Sequence, residues 1–222
     1  AYLLLAGLVV AAWAWTPTGF LVGFLLISAA HFSGDPADGT PWVSRIFYGG
    51  AVLVLPVWRH QEEMSGLFGQ LVGPEAAGAV MPVLGWLFWP WVAGLLVAIG
   101  ERGRSDRLTA FEFAAVGILA CVAPPLLAFT LFFCGMHGAR HILRSFRYSG
   151  SDSWRFVGLA ALLPMLGVGL ASAAAWHFLK DTPLDARVVQ IVFVGLAALT
   201  VPHMALVERV RLAGWIRPPD SR

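Results

Sequence analysis

Cysteine is almost absent, with Cys121 and Cys134 the two examples, both inside apolar runs. That excludes a disulfide scaffold and a thiolate metal cluster. Charge is scarce too. Asp, Glu, Lys and Arg make up 13% of the residues, about half the share of a soluble globular domain. No internal repeat and no low-complexity tract interrupts the chain, and no polar stretch is long enough for a soluble appendage. One domain, 1–222, is therefore expected. The formal net charge is only +2, and no nucleic-acid partner is expected. The run from Tyr2 to Trp15 has the length of a signal-peptide core, but no basic leader precedes it and no cleavage-like site follows. The first residue is Ala1 rather than Met, within an apolar run, so an incomplete N-terminus is expected.

What fills the space is hydrophobic: 58% of the 222 residues, with a mean hydropathy of +0.73. A soluble fold of this size could not hide that surface. Apolar stretches recur at about the length that crosses a bilayer. Eight can be drawn, at roughly 2–15, 18–32, 43–58, 78–99, 109–123, 125–146, 155–179 and 186–209. The last part of 109–146 is separated from the first at Pro124-Pro125, where proline removes a backbone donor and clashes with the preceding turn. The stretch 59–73 starts polar and becomes amphipathic, as a short interfacial helix does. The expected fold is all-α: a polytopic integral membrane helical bundle of seven to eight transmembrane segments.

The links alternate sides if each segment crosses. One side then collects Arg45, Arg102, Arg104, Arg107, Arg140, Arg144, Arg147, Arg155, Arg209, Arg211, Arg217 and Arg222, and the other Arg59, Lys180 and Arg187. An excess of 12 against 3 makes the basic links the ones expected in the cytoplasm, and the expected location is the plasma (inner) membrane.

Six histidines remain: His31, His60, His137, His141, His177 and His203. Ionisable groups in a membrane are costly and often functional. His31 ends the second segment, His137 and His141 lie in the last third of the sixth, and His203 lies near the end of the eighth. All four fall at similar depth toward the basic side. His60 and His177 fall at the opposite face, where His177 reads as an interfacial residue. In HGARH, the i, i+4 spacing puts His137 and His141 on one helical face, as in helical metal-binding pairs. Four neutral imidazoles suit Fe, Zn, Cu or Ni. Taken singly, each histidine has an ordinary structural explanation. Their shared depth is what points to a metal.

Other polar groups are secondary candidates. Asp35 could orient an imidazole or simply start a turn before Pro36. His60 and Glu62 could form a solvated cluster or support the metal ligands. Glu208 is expected to pair with an interfacial arginine. Glu112 finds no place in this reading. Trp86, Phe88 and Trp89, with Phe132 and Phe133, could line a tunnel for a long apolar polyene, or could simply pack.

The stretches AAHFSGD (29–35), GGAVLVLPVWRHQEEMSGLF (49–68), FFCGMHGARHILR (132–144) and LTVPHMALVE (199–208) carry a resemblance. In order and spacing the chain resembles the Brp/Blh family of bacterial and archaeal membrane β-carotene 15,15'-dioxygenases. The resemblance implies an Fe(II) enzyme that splits β-carotene with O2 at its central double bond, giving two retinals that supply a rhodopsin. It implies that His31, His137 and His141 are ligand and catalytic positions, with His203 a candidate fourth. It also implies a further histidine motif, similar to HGAxDH, in the first helix. Nothing like it precedes His31, and by position it would lie upstream of Ala1. Either the sequence continues upstream or this member lacks a ligand. Arginines near the site are expected to meet lipid headgroups.

Two other readings stand beside this one. A histidine-box di-iron desaturase or hydroxylase needs more histidine clusters than this chain holds. A non-catalytic carotenoid-binding or structural subunit of a membrane complex needs no complete site.

Overall fold

The structure is a computed structural model. It describes the backbone over 2–148 and 154–216, and side chains over 2–143, 158–159 and 161–205. Within those limits every regular element is helical. In chain order they are α1 (Tyr2–Trp15), α2 (Pro17–Phe32), α3 (Trp42–Val54), which runs on as a 3-10 turn (Leu55–Trp58), α4 (Gln61–Val72), α5 (Pro74–Ser105) and α6 (Arg107–Val122). Then come α7 (Pro125–Thr130), a π-helical stretch (Leu131–Gly138), α8 (Ala139–Tyr148), α9 (Trp154–Phe178) and α10 (Leu184–Ile216).

Proline and glycine set the boundaries. Pro17, Pro74 and Pro125 open α2, α5 and α7, where a missing N–H costs nothing. The break expected at Pro124-Pro125 is present, between α6 and α7. Gly73, which joins α4 to α5, has φ 91°, a value costly for any residue with a Cβ. Asp106 caps α6 by accepting from the Thr109 amide and hydroxyl. Those bonds hold its carboxyl below the usual carboxylate range.

Four helical stretches are long and apolar enough to cross a membrane: Pro74–Ser105, Pro125–Leu143, Ala161–Phe178 and Leu184–Ala205. Tyr2–Trp15, Pro17–Phe32 and Trp42–Trp58 are apolar but shorter. Length and composition thus identify four candidate spans among the described residues, and do not by themselves confirm the seven to eight expected. The shortfall arises because the first three apolar helices stop at 17 residues or fewer, short of the roughly 20 that a bilayer asks of an upright helix. The outer surface suits lipid. No residue of Ala161–Phe178 is buried, and Leu96, Val97, Phe111 and Leu163 face outward.

α3, α5 and α6 pack together, α2 lies against α3, and α10 packs on α1 and α4. Tyr48, Phe113 and Phe132 are fully buried where these groups meet. At the α2–α3 crossing, a Cβ on Gly49 would strike the Ala29 carbonyl and Ser33. Small residues of this kind let membrane helices approach closely. Residues 33–41, between α2 and α3, are tied down by Arg45. Its guanidinium donates to the carbonyls of Thr40 (2.9 Å) and Ala37 (2.9 Å).

Candidate metal centre

α2 ends at Phe32, so His31 sits on its last turn. His137 lies in the π-helical stretch, His141 in α8 and His203 in α10. A π turn widens the helix by one residue and is frequent at functional sites. Here it delivers His137 next to His141, with ring centroids 4.5 Å apart. His31 lies 4.6 Å from His137, 5.5 Å from His141 and 5.8 Å from His203. His141 and His203 are 5.7 Å apart. Four rings from well-separated parts of the sequence thus form one cluster.

The donor atoms fall into two sets. One atom each of His31, His141 and His203 lie within 4.8 Å of one another, and so do one atom each of Asp35, His137 and His141. His141 is common to both. The second set contains a direct contact, in which His137 Nδ1 and Asp35 Oδ2 are 2.8 Å apart. The two side chains are 5% and 1% exposed. A buried carboxylate beside Nδ1 holds the proton on that nitrogen and leaves Nε2 as the lone-pair donor. Asp35 is itself held by the turn after α2, where its N–H donates to the Phe32 carbonyl at 3.0 Å.

One part of the site was invisible in the sequence. Glu112, on α6, accepts from the Tyr48 hydroxyl at 2.5 Å and pairs with Arg140 at 2.6 Å. Arg140 also reaches the Asp35 carbonyl at 3.5 Å. Its guanidinium therefore points inward, toward α3 and α6. An acid inside an apolar run needs a cation from another helix. Arg140, placed one residue before His141, is that cation. The signal available beforehand was Glu112 itself, stranded within an apolar segment.

The remaining candidates lie elsewhere. His60 and Glu62 sit at the start of α4 and line an open polar recess with Trp58, Arg59 and Glu63. His60 Nδ1 is 3.7 Å from Glu63 Oε2. Neither is brought to the four-histidine cluster. His177 is near the exposed end of α9. Trp86 and Trp89 face outward on α5, 83% and 61% exposed. Phe88 is buried and stacks on Trp58. Phe132 is buried against Phe32 and Tyr48, and Phe133 stacks on the His137 ring at 5.5 Å. The side chains of Glu208, Arg144, Arg147, Arg155, Arg209, Arg211, Arg217 and Arg222 lie outside the described residues.

The comparisons with known proteins agree on one family. Residues 1–210 match the family model described as beta-carotene 15,15'-dioxygenase. The chain is 32% identical over 231 residues to a beta-carotene 15,15'-dioxygenase from the uncultured marine bacterium 66A03, covering 100% of this chain and 81% of that protein. It is 27% identical over 244 residues to the probable beta-carotene 15,15'-dioxygenase Blh of Halobacterium salinarum, covering 93% and 71%. No solved structure matches it. A helical chain that gathers His31, His137, His141 and His203 at one point thus belongs to the beta-carotene 15,15'-dioxygenase family.

Proposed function

We propose that this protein cleaves β-carotene at the central 15,15' double bond with O2, giving two molecules of retinal. The observation that carries the reading is the convergence of four imidazoles on one point, in a chain of this family. The donors fit a divalent transition ion. Three imidazole nitrogens lie within reach of one ion, and a buried carboxylate orients a fourth ring. Fe(II) is the ion of choice, because O2 chemistry needs a redox-active metal, which Zn is not. When bound, Fe(II) supplies the one-electron chemistry that lets O2 react with a closed-shell polyene.

The chain's own residues hold and position. His31, His137 and His141 would hold the ion, with His203 as the fourth ligand. Asp35 accepts the His137 Nδ1–H and fixes that ring among them. Phe32 and Phe133 stand on the His137 ring at 5.0 and 5.5 Å. They keep water away and offer flat apolar faces to a conjugated chain. Holding the central bond at the metal supplies the regiochemistry by position alone.

In this reading all eight apolar segments enter the bilayer, the shorter ones partly inserted or met by a locally thinned bilayer. The histidine cluster lies toward the cytoplasmic side of the plasma membrane, near Arg45, Arg102, Arg104 and Arg107. Retinal made there is released next to membrane proteins that bind it.

The test is expression in cells that accumulate β-carotene. Loss of the orange colour with formation of retinal is expected. Unchanged β-carotene in iron-replete cells that hold good amounts of the protein would sink the reading. Conversion by the wild type and none by His141→Ala ties the activity to the cluster.

A further inference from the structure

A cavity lies between α2, α3, α4, α7 and α10, away from the histidines. Its lining includes Phe24, Val52, Leu67, Phe129, Val189 and Phe193, and no charged side chain. It offers about 60 Å³ to the centres of water-sized spheres. One water needs about 10–15 Å³ on that scale, so the space is that of a few waters. Water would find no polar partner there. Leu126, at the start of α7, lines the cavity and is itself 46% exposed.

Aromatic rings join this cavity to the metal centre. Phe24 and Phe129 both touch Phe193, at 6.1 and 5.4 Å. Phe129 stacks on Phe133 at 5.5 Å, and Phe133 stacks on His137. Two α-helices measure the separation. Phe24 precedes His31 by seven residues in α2, and Phe193 precedes His203 by ten in α10. At about 1.5 Å per residue these spacings are roughly 10 and 15 Å. A conjugated chain advances about 1.2 Å per bond, so the end ring of a C40 carotenoid begins roughly 11 Å from the central double bond, about nine bonds away.

We infer that this cavity receives one end ring of the carotenoid and acts as a ruler that sets the central double bond at the metal. The inference rests on the carotenoid reading above and adds the residues that define ring preference and cleavage position. One anchored end is enough, because β-carotene is symmetric about the bond that is cut. The ring reaches the cavity from the lipid beside Leu126, and the chain lies along Phe129 and Phe133.

The purified protein, kept under argon so that no turnover occurs, is titrated with β-carotene and with an open-ended C40 polyene. Binding is read from the visible absorption shift. Wild type is expected to prefer the ring-ended polyene by about tenfold or more, the scale on which apolar pockets discriminate shape. Val52→Phe and Val189→Phe fill the cavity and should erase that preference. Val97→Phe, on the lipid-facing side of α5 and 71% exposed, should keep it. Equal affinity of wild type for both polyenes, or a preference untouched by either filling variant, overturns the inference and leaves the cavity to a lipid acyl chain. Phe193→Ala, which enlarges the cavity, gives a check that does not depend on overpacked variants folding. With O2 admitted it should yield unequal aldehyde fragments beside retinal, and retinal alone would overturn the ruler. Failure of the functional reading looks different: wild type would bind ring-ended polyene selectively and make no retinal.

Discussion

Replacing Asp35 by Ala removes the acceptor for the His137 Nδ1–H, in a contact 2.8 Å long between side chains 5% and 1% exposed. Solvent has little room to repair it. A hydrogen bond to a charged partner is worth about 1.5–3 kcal/mol. At about 1.4 kcal/mol per tenfold, its loss weakens the metal site by roughly 10- to 100-fold, the range typical of carboxylates that support a ligating histidine. Asp35→Asn keeps an acceptor oxygen and drops the charge. A neutral hydrogen bond retains about 0.5–1.5 kcal/mol, so Asn should cost only about five- to tenfold. The fold should survive both changes, because the 33–41 link is held through backbone carbonyls by Arg45 and Arg140. The assay is competition for Fe(II) or Co(II) against a coloured chelator under argon, with helical circular dichroism to follow folding. His141→Ala is the reference, since His141 belongs to both donor sets, and should lose the metal altogether. An Asp35→Ala protein with wild-type metal affinity refutes the orienting role. An Asp35→Asn protein as weak as His141→Ala also refutes it, and makes Asp35 a ligand in its own right.

Glu112→Gln breaks the 2.6 Å ion pair with Arg140. The two side chains are 18% and 30% exposed, so the cost should be about 1–3 kcal/mol rather than that of a fully buried pair. A lowered Tm with weaker metal binding is expected, and Glu112→Asp should recover less than wild type because the shorter arm cannot reach both partners. Gly49→Ala forces a Cβ onto the backbone of α2 near His31, against the Ala29 carbonyl and Ser33. It should lower Tm by several degrees and reduce metal affinity, while Gly85→Ala, with open space around it, should do neither. Asp106 has a depressed pKa from the Thr109 hydroxyl and amide, with a smaller part from Arg102. Its stabilisation is therefore present above the ordinary value of 3.8 and lost as pH falls through the lower folded value. Wild type should lose Tm in that acid range more steeply than Asp106→Asn.

Reading apolar runs gave the helices well, because run length and proline position act locally. Each of the eight segments has a helical counterpart, and the break at Pro124-Pro125 was legible because a proline pair ends a helix wherever it falls. The polar stretch at 59–73 likewise became α4. The count of crossings was less legible. Tyr2–Trp15 and Pro17–Phe32 are as apolar as the longer helices, yet length decides what can span. Arg140 shows a different limit. A count of basic residues by side treats every arginine as interfacial, and Arg140 is drawn inward by an acid on α6, a partner that depends on packing.

The histidines mark the boundary between what depth can say and what only packing can. Depth along the membrane follows from position in a helix, so His31, His137, His141 and His203 could be assigned to one level from sequence, and His60 to another. Their rotation about each helix axis could not. The i, i+4 spacing of His137 and His141 implies one face only for a regular α-helix, and the turn that carries His137 is π-helical. Widening a helix by one residue rotates everything before it by about 100° relative to everything after. Phe129 and Phe133 lie before or within that turn and His141 after it. The same local irregularity that sets His137 against Asp35 therefore also decides which aromatic faces lead from the apolar cavity to the metal. A substitution that restored a regular α-helix across 131–138 would separate the two ends of the site without touching a ligand. Metal affinity and ring preference should then fall together.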